Sequence, residues 1–327
     1  MPVRGADCHN DLLLGVTFPR DLGEPDLFGG FWLPQLLAGE VDLCVLPVYT
    51  EDWFTGEAAL RRALTTIETA RQVAVRHAHE VTLVTTAGQL REALDDDRIA
   101  LLLAFEGMEP VGADIDLIDT FWHLGVRMAS LTWNRRTPFA DGLGERSTGA
   151  GLTELGRRAV GRMESLGMIV DVSHLSDAGF DDLAQVTTRP FVASHSSCRD
   201  VYDHPRNLDD ARLRIIAERG GFVGQNALTE FVGGERTVDA CLDHVAHAVE
   251  LIGAEHVGLG LDFLADTEAH SLPASAQPEP GFFIKGLERP ADLPAFSQRL
   301  EARLGPDVAR QVASGSLIGA LERLLPR

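Results

Sequence analysis

Side chains that can bind a metal ion recur along this sequence at points where short apolar runs stop. His9 and Asp11 follow the first run, Ala6–Cys8. Four more such side chains each follow a later apolar run, namely Glu106, His174, His195 and Asp262. Imidazole nitrogens and carboxylate oxygens are ligands that suit zinc and similar divalent ions, so the pattern predicts a metal site.

The number of these groups indicates more than one ion. Three imidazoles and two carboxylates can hold two metal ions if one carboxylate bridges them, and such a pair can activate a water molecule and polarise a carbonyl group. His9 and Asp11 are two residues apart and would share a face of an extended segment. Taken singly, each residue has an ordinary alternative: His174 or His195 could be a core histidine, and Glu106 a solvated charge. The joint pattern favours the metal site.

The runs that precede these residues read as strands of a parallel sheet, because they are apolar and alternate with helical patterns. Helices are predicted over Glu57–His77, from Leu152 to Gly167 and over Val238–Ile252. The strands are predicted at Ala6–Cys8, Val41–Val48, Ala100–Phe105, Arg127–Thr132, Met168–Val172, Phe191–Ser194, Gly221–Gln225 and Val257–Leu261, with Val81–Thr85 as a possible extra one.

The positions of the polar residues decide between two parallel folds. A doubly wound sheet places its site at one crevice and draws on few strands. A barrel gathers residues from the carboxyl ends of many strands, as here. We therefore predict an α/β fold, a (β/α)₈ TIM barrel of parallel strands, in one domain over residues 1–327. Two Gly/Pro-rich loops, Pro19 to Gly39 and Thr267 to Gly286, are expected to shape its pocket.

Composition excludes several classes of protein. The formal net charge is −20, with 49 acidic and 29 basic residues, and such a surface repels nucleic acid. No apolar run of the length needed to span a membrane occurs, and no apolar leader follows Met1, so a cytoplasmic protein is expected. The four cysteines form no CxxC pair, which argues against a disulfide framework or a structural zinc site.

Several motifs in this order resemble the membrane (renal) dipeptidase family, the M19 metallopeptidases of the amidohydrolase superfamily. The longest match runs from GLTELG at 151–156 to LGMIVDVSH at 166–174. Shorter matches lie at 7–12, 105–107, 123–127, 131–134, 194–197, 205–208 and 258–263. The resemblance covers nearly the whole chain and implies a zinc-dependent dipeptidase, with a homodimer as the expected assembly.

The resemblance also implies metal-binding roles for five residues. His9 and Asp11 would bind one zinc ion, and His174 and His195 would bind the second. Glu106 would bridge the two ions, which would share a bridging water molecule.

Further roles concern the substrate. Arg206 would hold a substrate carboxylate or the developing oxyanion, and a guanidinium fork suits either. Asp262 would take a proton from the bridging water and pass it to the leaving amine. Trp133 and Asn134 are expected to contact the substrate. Family members hydrolyse dipeptides and often tolerate a D-residue at the C-terminal position.

Two departures from the family pattern concern substrate selection. Trp133 stands where the mammalian branch has a histidine, and Leu264 stands where the family has a second acid. Both changes make the pocket wall more apolar. They leave open an amidase or peptidase of the same family that acts on a specialised biosynthetic intermediate. A metal-binding homologue without catalytic activity is the remaining alternative, although retention of Arg206 and Asp262 argues for catalysis.

Overall fold

The computed structural model describes residues 4–23, 26–267 and 283–327. Strands alternate with helices along these ranges, as the sequence pattern predicts. The nine strands of the described residues are β1 (Gly5–Asp7), β2 (Val41–Tyr49), β3 (Val81–Leu83), β4 (Ile99–Glu106), β5 (Val126–Ser130), β6 (Ile169–Asp171), β7 (Val192–Ala193), β8 (Phe222–Gln225) and β9 (Val257–Leu259).

Eight of these strands close into a parallel barrel. Around the ring they follow the order β1, β2, β4, β5, β6, β7, β8, β9, and β9 pairs again with β1. The contact between β2 and β4, from Leu43 beside Ala100 to Tyr49 beside Glu106, joins two strands that an open sheet would leave apart. The ninth strand, β3, pairs with the first residues of β4. The prediction of a (β/α)₈ barrel with an extra strand near Val81 is confirmed.

The helices lie between the strands and after the last one. Short π-helical segments at Phe28–Trp32 and Gln311–Gly315 precede α2 and α13. The α-helices are α1 (Leu12–Asp21), α2 (Leu33–Ala38), α3 (Glu57–Arg76), α4 (Ala87–Asp95), α5 (Leu117–His123), α6 (Glu154–Leu166), α7 (Asp177–Val186), α8 (Asp210–Glu218), α9 (Thr229–Val232), α10 (Val238–Ile252), α11 (Leu293–Leu304), α12 (Pro306–Arg310) and α13 (Ser316–Leu324). Within the described residues, three 3₁₀ turns complete the helical segments, at Leu143–Thr148, Ala254–His256 and Pro290–Asp292.

The helix boundaries follow local capping chemistry. The Thr153 hydroxyl accepts the backbone N–H of Gly156 and starts α6, and Gly167 ends that helix with a φ of 77°. The prediction of a loop from Pro19 to Gly39 was wrong in part. Phe28, Trp32 and Leu36 are fully or almost fully buried at helical spacing there, and packing outweighs the loop-forming composition. Most of the loop expected from Thr267 to Gly286 lies outside the described residues.

Successive side chains along each strand point alternately into the barrel interior and outward, toward the helices. In β4, Ala100, Leu102 and Ala104 pack in one cluster with Met128 and Phe222, whereas Leu101, Leu103 and Phe105 join the other. Leu317, Leu321 and Leu324 of α13 belong to the interior cluster and cover one end of it. Glu106 is two residues beyond Ala104 in β4 and shares its face. Its side chain therefore points into the barrel, at the carboxyl end of the strands.

The cysteines and the helix lengths can be compared with what composition predicts. All four cysteines are buried and none forms a disulfide. Within residues 4–23, 26–267 and 283–327, no helix combines the length and apolar composition that a membrane crossing requires.

Candidate active site

The barrel brings the metal-capable side chains to its carboxyl end. His9 and Asp11 follow β1, and Glu106 is the last residue of β4. His174, His195 and Asp262 follow β6, β7 and β9 within three residues. All six residues are buried, with at most 7% of their surface exposed. Parallel strands all end on the same side of a barrel, and for this reason residues far apart in the sequence meet here.

Glu106 lies between two groups of histidines. Its Oε2 is 3.6 Å from Nε2 of His9. Its Oε1 is 2.9 Å from Nε2 of His174 and 3.6 Å from Nε2 of His195. One carboxylate therefore offers one oxygen to each half of the cluster, which is the arrangement that a bridging ligand requires.

His9 also faces two aspartates. Its Nε2 lies 3.6 Å from Oδ2 of Asp11 and 3.9 Å from Oδ1 of Asp262. Ligand atoms of these three residues all lie within 4.8 Å of one another, as do those of His9, Glu106 and His195. Two overlapping sets of donors are thus close enough to hold metal ions.

The carboxylates of the cluster create an electrostatic environment that favours a bound cation. Burial opposes a charge on His9, but the carboxylates of Glu106 and Asp11 outweigh it and raise the pKa of His9 to about 10. Burial and neighbouring carboxylates raise the pKa of Asp11 well above its ordinary value. Nε2 of His9 has no hydrogen-bond partner among the described residues. A buried nitrogen without a partner, surrounded by carboxylates, fits a cation ligand.

The environment of the second pair of imidazoles, His174 and His195, favours their neutral form. Burial lowers the pKa of His174 and, to a greater extent, that of His195, and the charge of Arg206 lowers both further. Nδ1 of His174 donates to Oδ1 of Asn134 over 3.0 Å, which leaves a lone pair on its Nε2. That Nε2 lies 2.9 Å from Nε2 of His195 and 2.9 Å from Glu106. A lone pair directed at other acceptors fits a metal ion held between them.

Two of the site residues have unusual backbone conformations. His174 has a φ of 70° and Asp262 a φ of 60°, in the left-handed region that residues other than glycine rarely adopt. Such conformations persist where the surrounding structure imposes them, and they cluster at functional sites. Here they occur immediately beyond the strands, where the chain turns and aims both side chains into the cluster.

Asp262 is held by a residue that sequence reasoning missed. Nδ2 of Asn226 donates to Oδ2 of Asp262 over 2.8 Å, and Oδ1 of Asn226 accepts the backbone N–H of Leu228. Oδ1 of Asp262 is the oxygen that faces His9. Asn226 directly follows β8, so the strand-end signal that identified the other residues could also have found it.

Arg206 is a buried cation with free donors. It is 4% exposed, and its Nη1 donates to the hydroxyl of Ser196 over 2.8 Å. Its Nε and Nη2 have no hydrogen-bond partner among the described residues. The guanidinium carbon lies 5.7 Å from the centre of the Phe231 ring. Two free N–H groups on a buried guanidinium suit a carboxylate or oxyanion.

A cavity of about 350 Å³ opens over the cluster. Trp133 and Asn134 both line it, and the Trp133 ring lies 5.3 Å from the Tyr49 ring and 6.1 Å from the His174 ring. Asn134 lines the cavity while its amide oxygen is engaged by His174. The apolar part of the wall is formed by Leu14, Tyr49, Trp53, Trp133, Leu228, Phe231 and Leu264.

Known sequences resemble this chain over most of its length. The model of the membrane dipeptidase family, peptidase family M19, matches residues 3–309. An uncharacterized dipeptidase of Schizosaccharomyces pombe is 30% identical over 329 residues, covering 93% of this chain and 78% of the relative. A second uncharacterized dipeptidase of that yeast is 28% identical over 303 residues, covering 88% and 73%.

Solved structures agree with the sequence comparison. A metallopeptidase of Rhodobacter sphaeroides, liganded with a phosphinate mimic of the dipeptide L-Ala-D-Ala, is 27% identical with a TM-score of 0.88, covering 99% of this chain and 100% of that one. The dipeptidase AC, a metallopeptidase of family M19, is 28% identical with a TM-score of 0.89 and full coverage of both chains. The chain therefore belongs to the membrane dipeptidase family, the M19 metallopeptidases.

Proposed function

We propose that the protein is a zinc-dependent dipeptidase that uses two divalent ions and hydrolyses small dipeptides, including L-Xaa-D-Xaa. The observation that carries the proposal is the position of Glu106, with one oxygen toward His9 and the other toward His174 and His195. His9 and Asp11 would hold one ion, His174 and His195 the other, and Glu106 both. When bound, the ions would polarise the scissile carbonyl and acidify the attacking water.

Asp262 is proposed as the proton carrier. Asn226 engages its Oδ2, and its Oδ1 faces His9 on the side of the cluster where the attacking water would lie. A carboxylate fixed in this way can accept a proton from the water and deliver it to the leaving amine nitrogen. The burial of Asp262 keeps bulk water away from that transfer.

Arg206 is proposed to bind the substrate's C-terminal carboxylate. Its unpartnered Nε and Nη2 form two donors of one fork, and a carboxylate can accept from both. The Phe231 ring beside the guanidinium and the hydroxyl of Ser196 limit its motion. This contact would make a free carboxylate a requirement for good substrates.

Replacing Arg206 with lysine should raise KM for a dipeptide by about 10- to 100-fold, because lysine keeps the charge and loses the fork. The measurement compares kcat/KM for a dipeptide and for the same dipeptide with an amidated C-terminus. The amide should be a poor substrate of both proteins and should change little on substitution. An equal loss on both substrates would contradict a carboxylate contact.

The L-Xaa-D-Xaa preference has support from a similar protein. The Rhodobacter metallopeptidase is described with a mimic of L-Ala-D-Ala. Its likeness over the full chain supports testing the same class of dipeptide here.

An apolar wall favours a second candidate, a peptidase or amidase for a specialised, bulky amide. Trp133 stacks edge-on against Tyr49 beside the cluster, and Leu14 and Leu264 extend this apolar surface. Burying a larger apolar side chain against them would stabilise the bound substrate by about 1–3 kcal/mol. The wall therefore predicts a preference for bulky apolar side chains in either kind of substrate.

We expect kcat/KM to be at least about 10-fold higher for dipeptides with a large apolar residue than for alanine dipeptides. The panel should include both diastereomers of each dipeptide and bulky amides without a free carboxylate. Trp133→Ala should remove most of the size preference, whereas Val75→Ala, at a side chain of α3 that is 80% exposed and outside the cavity wall, should retain it. Faster turnover of bulky amides than of every dipeptide would favour the second candidate.

A further inference from the structure

A row of buried hydroxyl groups runs beneath the cluster. Ser173, Ser194 and Ser196 are each 1% exposed. The hydroxyl oxygen of Ser173 lies 3.3 Å from that of Ser194 and 3.4 Å from that of Ser196. These residues follow β6 and β7, alternating with His174 and His195, and none of them contacts the cavity directly.

Asp171 anchors one end of this row. Its Oδ1 accepts the backbone N–H groups of Ser173 and Ser194, each over 2.9 Å. Its Oδ2 accepts the Ser194 hydroxyl over 2.5 Å. A hydroxyl bound to a carboxylate at this distance donates its single proton there, because a hydrogen bond to an ionised acceptor is the stronger one.

The direction of that hydrogen bond decides the tautomer of His195. Oγ of Ser194 also lies 2.7 Å from Nδ1 of His195. Since the Ser194 proton is directed to Asp171, Nδ1 of His195 must donate, and its Nε2 keeps a lone pair. That Nε2 is the atom that faces Glu106. The Ser173 hydroxyl accepts the backbone N–H of His195 over 3.1 Å and fixes the main chain as well.

The other end of the row reaches Arg206. The Ser196 hydroxyl accepts from Nη1 of Arg206, so one buried network connects a proposed metal ligand with a proposed substrate-binding cation. Ser196 is thereby placed to orient the fork of Arg206, while Ser194 acts on His195.

We propose that Asp171, Ser194 and Ser196 are positioning residues of this site, a proposal that rests on the proposed function. Asp171 and Ser194 hold His195 in the tautomer that presents Nε2 to a metal ion. Ser196, linked through Ser173, holds the guanidinium of Arg206 toward the substrate. Partners of this kind typically change metal affinity by about 10- to 100-fold when they are replaced.

Two variants can distinguish an effect on the tautomer of His195 from a simple loss of packing. Ser194→Ala removes the partner of Nδ1 and leaves both tautomers open. Asp171→Asn keeps the shape but can place an amide N–H where Oδ2 accepted a proton. Ser194 would then accept from the amide and donate to Nδ1 of His195, so Nε2 would carry hydrogen. Asp171→Asn should therefore bind metal more weakly than Ser194→Ala, although it is the more conservative change.

The experiment titrates metal-stripped full-length protein with Co²⁺ alone and follows the absorption of bound cobalt. We expect two ions in the wild type, with affinity at one of two sites reduced about 10-fold in Ser194→Ala and about 100-fold in Asp171→Asn. Ser196→Ala should retain both affinities and raise KM for a dipeptide with little change in kcat. Ser316→Ala, a buried serine of α13 whose hydroxyl donates to the carbonyl of Ala254, is the matched control and should match the wild type.

Wild-type cobalt affinity in both Asp171→Asn and Ser194→Ala would overturn the proposal. Equal weakening of both sites, together with the same loss in Ser196→Ala, would also overturn it, because that pattern indicates general destabilisation. If Asp171→Asn does not fold, Ser194→Ala decides by whether one site alone is weakened. If the wild type binds two ions and the variants show the predicted order of cobalt affinity, but no dipeptide is hydrolysed, the roles of Asp171 and Ser194 are supported and the proposed function is refuted.

Discussion

Replacing Asp262 with asparagine is expected to lower kcat by about 10²- to 10⁴-fold while the protein keeps its metal ions. Asparagine has nearly the same shape but cannot carry the proton from water to the leaving amine. It also tolerates the left-handed conformation that residue 262 adopts, with its φ of 60°, so the backbone should not change. The measurement pairs kcat on a saturating dipeptide with elemental analysis of the purified variant.

The control for this variant is Asp243→Asn, the same chemical change at an exposed position of α10 that pairs with Arg303. It should be as active as the wild type. Unchanged kcat in Asp262→Asn would refute the proton-carrier role. Loss of about one metal ion from that variant would instead identify Asp262 as a ligand, which its 3.9 Å approach to His9 makes a real alternative.

Removing the metal ions with a chelator is expected to abolish hydrolysis and to lower the thermal stability of the protein. Asp11, Glu106 and Asp262 are three buried carboxylates, and bound cations would relieve their mutual repulsion. Ions that bind the folded chain alone stabilise it by about 4 kcal/mol per site at a concentration 1,000 times Kd. Calorimetry of the loaded and stripped protein measures the change in Tm directly.

Elemental analysis of active protein should find close to two ions per chain, and activity should return when zinc, manganese or cobalt is added back. Fewer than one ion per chain in active protein would contradict the two-metal proposal. Loaded protein that hydrolyses no amide would favour the alternative of a metal-binding homologue without activity.

The sequence by itself was sufficient for the barrel and for the identity of the candidate ligands. Runs apolar on both faces indicate parallel strands, and a polar residue just after such a run must lie at the carboxyl end of the sheet. This reasoning located His9, Glu106, His174 and His195 without any contact being known. Helix boundaries could also be predicted, because they depend on capping residues next to them in the sequence. The helix α10 begins and ends at the predicted Val238 and Ile252, since Thr237 and Gly253 cap it.

The helical turn and α2 between Phe28 and Ala38 could not be predicted from composition. Glycine and proline in that segment favour a loop locally, but burial of Trp32 and Leu36 against the core stabilises the helical conformation. The i, i+4, i+8 spacing of Phe28, Trp32 and Leu36 is a local signal for a helix, but the burial that outweighs glycine and proline depends on neighbours elsewhere in the chain.

Only the tertiary structure decided which partner each site residue has. Asn134 is predicted to contact substrate, and the structure adds that its oxygen accepts from His174, 40 residues away. Asn226 with Asp262, and Asp171 with Ser194, are likewise pairs from different strands. Residue type and spacing determine which chemistry a side chain can perform. A hydrogen bond depends on distances and angles between elements, and those are set when the barrel closes.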